Sequence, residues 1–174
     1  GNAFCAGADL TLARDAQSKE ERARIEAEMR RVPRIIGRIY DTLLHMDVVS
    51  IASVNGYAVG GGWTLALACD HVIAAREAAF WLPEVQIGSP FRGLANVKLT
   101  QALGPMLAKE AMILGRRFSA DELADLRLVN LVCPRDELDA RTREAVDAYL
   151  ALPWNAVLNT RRDIHASLYG PQHY

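Results

Sequence analysis

The pattern of apolar and polar positions predicts short buried strands followed by helices. The clearest case runs from residue 48 to residue 70. A β-branched, uncharged run ends at Val54, and an apolar segment without charges begins after Gly62. The first pattern is typical of a buried strand, and the second of a helix buried on all sides. A turn and three consecutive glycines, Gly60–Gly62, separate the two, and these glycines predict a bend where backbone approaches a neighbouring group closely.

Similar patterns predict elements on both sides of this segment. Pro33 fits the first turn of an amphipathic helix that extends to about Met46. Residues 71–75 and 79–82 predict two further strands, and Asp136 is predicted to cap a long helix. The chain therefore alternates strands with helices over most of its length.

Composition narrows the class of protein. The chain has 174 residues, of which 51% are hydrophobic and 24% charged, as in an ordinary soluble globular domain. A net charge of −1 gives no electrostatic argument for nucleic-acid binding, and no apolar run reaches the roughly 18 residues of a membrane span. The three scattered cysteines predict reduced thiols in the cytoplasm. The four histidines do not cluster with other ligands, which predicts that there is no metal site.

The glycine bend leads into a helix, and free N–H groups at a helix N-terminus favour negative charge. An oxyanion formed during a reaction would suit this position. A nucleotide phosphate is an alternative, because Gly56 and Gly61 have the outer spacing of a phosphate loop. However, Gly62-Trp63 stands where that loop needs Lys-Ser/Thr. Close packing of strand against helix is a further alternative. Residues 6–8, Ala-Gly-Ala, predict a second small-residue bend that exposes N–H groups.

Glu84 is a single carboxylate in an apolar setting, Phe-Trp-Leu-Pro-Glu-Val-Gln-Ile. Burying its charge would be costly. Either the side chain points to solvent, or it lies in an apolar site with a raised pKa. The second case would suit a residue that transfers protons near neutral pH.

Together, these segments resemble the crotonase family, also called the enoyl-CoA hydratase/isomerase superfamily. The matching segments are residues 3–10, residues 52–62, Cys69-Asp70, Pro83-Glu84, Ile87-Gly88, residues 115–124 and residues 128–132. The resemblance implies an α/β fold, a spiral of β-β-α repeats with C-terminal helices, here without the first strands and the last helices. It implies a spiral core over residues 1–152 and the start of a C-terminal helical trimerisation region over residues 153–174. A homotrimer or a dimer of trimers is therefore expected.

The resemblance also implies a chemistry. The substrate would be an acyl-CoA thioester, with coenzyme A as part of the substrate and no separate cofactor, nucleic acid or membrane partner. The backbone N–H groups of Ala8 and Gly61 would form an oxyanion hole, and Glu84 would move a proton at the acyl chain. Further substrate contacts are implied by position for Ala6, Gly7, Asp9, Leu10, Gly60, Trp63 and Arg92.

The sequence departs from the family pattern at Thr64, where a second glutamate is usual. Thr64 is the second catalytic candidate by position, but it makes two-glutamate hydration doubtful. Single-glutamate isomerases and the feruloyl-CoA hydratase/lyase branch are the alternatives, as is a non-catalytic acyl-CoA-binding homologue. Arg92 could pair with a substrate carboxylate or with Glu84, or lie at a loop rim. Trp63 could shape the acyl pocket or belong to the core.

A pair of arginines in the last predicted helix, Arg161 and Arg162, also has two interpretations. They could assist in binding phosphates of the substrate, or they could form part of a solvated helix face.

Overall fold

The computed structural model describes residues 1–9, 18–29, 31–91 and 95–169. The strands are β1 (Ala3–Cys5), β2 (Ile51–Val54), β3 (Tyr57–Val59), β4 (His71–Ala75), β5 (Ala79–Trp81), β6 (Phe118–Ser119) and β7 (Leu131–Cys133). The helices are α1 (Lys19–Met29), α2 (Val32–His45), α3 (Gly61–Ala68), α4 (Ala95–Met112), α5 (Ala120–Asp125), α6 (Leu138–Leu150) and α7 (Trp154–Tyr169). Short 3-10 helices span Val85–Ile87 and Arg135–Glu137.

Consecutive strands from β2 to β5 alternate between two sheets. One sheet has the order β1-β3-β5-β6 and the other the order β2-β4-β7. β2 pairs in parallel with β4, and β3 pairs in parallel with β5. Each β-β-α repeat therefore adds one strand to each sheet beside the previous repeat. This arrangement confirms the predicted α/β spiral.

Helix α3 and the aromatic rings around it form the centre of the core. Trp63 is 1% exposed, and its ring centroid lies 6.1 Å from that of Phe80 and 5.6 Å from that of Phe118. Leu67, one turn later, is also fully buried. The prediction of a helix without a polar face is confirmed, because this helix lies between packed elements rather than on the surface.

Two local predictions were wrong. The turn predicted before the glycines is limited to Asn55-Gly56, and the three-residue strand β3 follows it. Three residues are too few to show an alternating pattern. Asp136 does not cap a helix with its side chain, because it lies inside a 3-10 turn that begins after Pro134.

Within the described ranges, no helix is long and apolar enough to cross a membrane.

Candidate active site

Three adjacent parallel strands end at one edge of a sheet, and each leads into a segment that the sequence marks as a candidate. β1 runs into the bend of residues 6–8, β3 runs into Gly60–Gly62, and β5 runs through Leu82 and Pro83 to Glu84. The carboxyl ends of parallel strands lie at the same edge, and ligands commonly bind there in α/β proteins. The topology thus brings together segments that are far apart in the sequence.

The glycine bend has a backbone geometry that side chains would obstruct. Gly60 has a φ of +54°, which favours glycine, and its N–H donates to the carbonyl oxygen of Trp81 at 2.9 Å. A Cβ atom on Gly62 would lie 2.2 Å from the carbonyl oxygen of Cys5. The close-packing interpretation of the glycines therefore holds at Gly62, where α3 lies directly against β1.

The two small-residue bends lie against each other. Gly7 has a φ of +85°, and a Cβ atom at this position would lie 3.1 Å from the carbonyl oxygen of Val59. Gly61 is the first residue of α3, so its N–H has no acceptor within the helix. Among the described residues, no acceptor is found for the N–H of Ala8 or of Gly61. Both donors are therefore available to an external acceptor, and the one on Gly61 lies at the positive end of the helix dipole.

Glu84 lies against the glycine bend rather than pointing away into solvent. Its Oε1 atom lies 2.7 Å from the position that a Cβ atom on Gly60 would occupy. Its Oε2 atom is buried and has no hydrogen-bond partner within the part of the chain that the structure describes. Burial raises the pKa of Glu84 above its ordinary value, and a backbone hydrogen bond opposes this only in part. A carboxyl group in this environment exchanges a proton more readily near neutral pH than an exposed one.

The remaining predicted site residues differ in how far they are buried. The Thr64 side chain is buried, and its hydroxyl donates to the carbonyl oxygen of Gly60 at 3.2 Å. The hydroxyl of Thr64 is thus bonded to the backbone, and its catalytic role stays a prediction. Trp63 packs in the core, so the structure does not bring its ring to the edge where the bends meet. Ala6 and Asp9 lie exposed on the first bend.

The predictions for Leu10 and Arg92 fall on residues outside the described ranges.

A comparison with protein families identifies the chain. Residues 1–171 match the family described as Enoyl-CoA hydratase/isomerase. The chain belongs to the enoyl-CoA hydratase/isomerase family, the crotonase superfamily. It resembles an enoyl-CoA hydratase from Bacillus anthracis at 30% identity, with a TM-score of 0.81 and coverage of 94% of this chain and 61% of that one. The predicted crotonase fold is therefore confirmed.

Two curated relatives share more of the sequence over shorter segments. A (3,5-dihydroxyphenyl)acetyl-CoA 1,2-dioxygenase from Amycolatopsis orientalis is 39% identical over 120 residues, which cover 69% of this chain and 27% of that protein. A carnitinyl-CoA dehydratase from Salmonella typhi is 39% identical over 102 residues, which cover 59% of this chain and 39% of that protein. The chain thus matches well under half the length of these curated relatives.

In this crotonase-family chain, Arg161 has a structural role that sequence reasoning missed. It is 7% exposed, its Nε atom donates to Asp70 Oδ1 at 2.8 Å, and its guanidinium also donates to the carbonyl oxygen of Leu44 at 3.0 Å. Both interpretations offered for Arg161, a phosphate contact and a solvated face, are therefore wrong. Arg162 is exposed and pairs with Asp47 at 2.6 Å. An isolated Asp directly after an apolar helix was the signal that could have indicated a buried partner.

Asp70 is the centre of this buried network. The backbone N–H and the hydroxyl of Ser50 both donate to its Oδ2 atom at 2.8 Å, and Nε2 of His165 lies 3.3 Å from Oδ1. Burial alone would raise the pKa of Asp70, but the bonds from His165, Ser50 and Arg161 outweigh it and lower the pKa to about 2. Because Arg161 and His165 belong to α7, this network anchors the last helix to the core of its own chain. The trimerisation role of residues 153–174 stays a prediction.

Proposed function

We propose that this chain carries the reaction centre of an acyl-CoA thioester enzyme that stabilises an enolate. The N–H groups of Ala8 and Gly61 bind the thioester oxygen, and Glu84 acts as the only carboxylate acid/base. The observation that supports this most is the meeting of three strand ends, where Gly7 lies against Val59 and the half-buried Glu84 carboxyl lies against Gly60, next to two N–H groups without a described acceptor. Donors that are already oriented toward developing negative charge lower the barrier to enolate formation.

The proposed step moves one proton and no net electrons. The Glu84 carboxylate removes a proton from the carbon next to the thioester carbonyl, and the C–H electron pair forms a carbon–carbon double bond. The carbonyl π pair moves to oxygen, where the N–H groups of Ala8 and Gly61 bind it. The Glu84 carboxylic acid then returns the proton, to the same carbon or to a carbon further along the chain. Return at the further carbon requires a β,γ double bond in the substrate, over which the enolate extends, and it moves that double bond to the α,β position, as an isomerase does.

The environment of Glu84 suits both halves of this step. A base works best when its pKa is close to the operating pH, because it must be ionised to accept a proton and still release it afterwards. Burial raises the pKa of Glu84 in that direction. Its Oε2 atom is buried and accepts no hydrogen bond from a described residue, so no described donor competes for a proton there.

The experiment is Glu84→Gln, measured by exchange of the proton next to the thioester carbonyl in D₂O. Exchange reports enolate formation whichever product follows. We expect the variant to bind butyryl-CoA with unchanged affinity by calorimetry and to exchange at least about 10²-fold more slowly. Glu77→Gln is the matched control, because Glu77 is exposed in the turn between β4 and β5, and it should exchange at the wild-type rate. Unchanged exchange in Glu84→Gln would remove Glu84 from the mechanism.

A non-catalytic acyl-CoA-binding protein is the second candidate, and one observation favours it. The position of the family's second glutamate holds Thr64, whose hydroxyl is bonded to the backbone rather than directed at the bend opening. This candidate predicts that the wild-type protein binds butyryl-CoA and gives no exchange above the uncatalysed rate. Adding crotonyl-CoA and following loss of its enoyl absorbance then tests hydration separately from proton exchange.

A further inference from the structure

Thr64 is a buried polar side chain directly beneath the glycine bend. It is 7% exposed, and it lies one helical turn after Gly60. Its hydroxyl donates to the carbonyl oxygen of Gly60 at 3.2 Å, and its backbone N–H donates to the same oxygen at 3.0 Å. Two donors from a single residue therefore converge on this carbonyl group.

The Gly60 carbonyl and the Gly61 N–H belong to one peptide unit. Because that unit is planar, fixing the direction of its oxygen also fixes the direction of its N–H. The oxygen that Thr64 holds points into the helix, so the N–H of Gly61 points out of the helix end. The orientation of one proposed oxyanion donor thus depends on the contact with Thr64.

The other side of Gly60 is fixed by strand β5. The Gly60 N–H donates to the carbonyl oxygen of Trp81 at 2.9 Å. The rotation that remains is ψ of Gly60, which is −119°, and glycine has the widest freedom at this torsion. The backbone N–H of Thr64 already restrains that rotation, and the hydroxyl bond to the same oxygen adds to the restraint. A hydrogen bond to a carbonyl also polarises its amide, which makes the N–H of the same unit a stronger donor.

We propose that Thr64 is a positioning residue, whose hydroxyl orients and polarises the peptide unit that presents the Gly61 N–H to a thioester oxygen. The inference rests on the proposed function, since it assigns Thr64 a role at the same site. It differs from ordinary back-bonding of threonine within a helix, because it requires that loss of the hydroxyl changes the strength of the oxyanion contact.

The kinetic test is Thr64→Val, which removes the hydroxyl and keeps the shape of the side chain. We expect kcat for proton exchange to fall about tenfold with KM unchanged, less than the 10²–10³-fold typical when an oxyanion donor is lost. Thr64→Ser keeps a hydroxyl and should recover the rate. Thr142→Val is the matched control, because the Thr142 hydroxyl donates to the carbonyl oxygen of Leu138 in α6, at 2.8 Å. It should leave kcat unchanged.

A spectroscopic test reads the oxyanion contact without turnover. The probe is 4-aminocinnamoyl-CoA, whose absorption moves to longer wavelength when its carbonyl oxygen is hydrogen-bonded. The wild-type protein and Thr64→Ser should shift the bound probe to the red, whereas Thr64→Val should shift it less. Thr64→Ala also removes the hydroxyl and should reproduce the smaller shift, so the test does not depend on one variant folding well.

The two proposals fail in different ways. If the wild-type protein binds the probe without a red shift, the oxyanion hole and the proposed function fail together. If the wild-type protein, Thr64→Val and Thr64→Ala all shift the absorption of the probe to the red by the same amount, the oxyanion hole stands and the role of Thr64 is wrong. An unchanged kcat in Thr64→Val overturns that role as well.

Discussion

Polar groups at the two ends of helix α3 differ in whether they have hydrogen-bond partners. At the N-terminal end, the N–H of Gly61 and the Oε2 atom of Glu84 have no partners among the described residues. At the C-terminal end, Asp70 accepts bonds from Ser50, Arg161 and His165. A buried polar group without a partner costs free energy. The fold avoids that cost at the C-terminal end and bears it at the N-terminal end, which is the arrangement expected of the proposed oxyanion site.

Lys98 supplies further hydrogen bonds at the C-terminal end of helix α3. Its Nζ atom donates to the carbonyl oxygens of Leu67 at 2.6 Å and Cys69 at 3.3 Å, where the last helical carbonyls lack partners within the helix. A cation there also interacts favourably with the helix dipole. Burial lowers the pKa of Lys98, and the charge of Asp70 opposes that shift. Lys98 therefore stabilises the helix, although a partly buried lysine considered alone would resemble a catalytic group.

The largest expected effect comes from making the same change, carboxylate to amide, at both ends. Asp70→Asn should lower the free energy of unfolding by about 3–5 kcal/mol, because it leaves the buried Arg161 without its counter-charge. Glu84→Gln should leave the free energy of unfolding unchanged or raise it, since the buried Oε2 atom has no described partner and an amide oxygen can still accept the one backbone hydrogen bond. Urea unfolding at neutral pH measures both. Equal losses of stability in the two variants would contradict the comparison.

A smaller effect tests how closely α3 must lie against β1. Gly62→Ala should lower the free energy of unfolding by about 1–3 kcal/mol, because the new Cβ atom would lie 2.2 Å from the Cys5 carbonyl oxygen. Gly37→Ala in α2 is the matched control. No atom lies within 4 Å of its added Cβ, so it should raise stability by about 0.5–1 kcal/mol. Thermal unfolding measures both variants. If Gly62→Ala and Gly37→Ala change the free energy of unfolding in the same direction, the close contact with β1 does not constrain the helix.

The smallest effect is on how the free energy of unfolding changes with pH, which should have opposite signs for Asp70 and Glu84. The pKa of Asp70 is lowered to about 2, so its contribution to stability is present above its ordinary pKa of 3.8 and is lost as pH falls through about 2. The pKa of Glu84 is raised, so its contribution is present below 4.5 and is lost as pH rises through the folded-state pKa. Unfolding free energies of wild type and the two amide variants, measured from about pH 2 to about pH 8, around the ordinary carboxyl pKa values, report both signs. If the contributions of Asp70 and Glu84 to stability changed with pH in the same direction, the opposite pKa shifts of the two carboxyl groups would be contradicted.

Several features of the site could be predicted from residue types alone. Consecutive glycines are disfavoured inside a helix, so Gly60–Gly62 indicated special backbone geometry, and the structure shows a positive φ at Gly60 and close packing at Gly62. The apolar neighbours of Glu84 limited its environment to solvent or a buried site. The sequence could not choose between these two, because that choice depends on which element covers the carboxyl group.

The sequence by itself determined which segments bend, which helix is buried and where a lone acid lies, because these follow from local torsional freedom and hydrophobic periodicity. The tertiary structure alone decided that three strand ends meet, that Arg161 pairs with Asp70 and that the Thr64 hydroxyl holds the Gly60 carbonyl. Each of these contacts, apart from the last, joins residues more than 20 positions apart. Parallel pairing and buried ion pairs depend on the path of the chain between their partners, and a local pattern carries no information about that path.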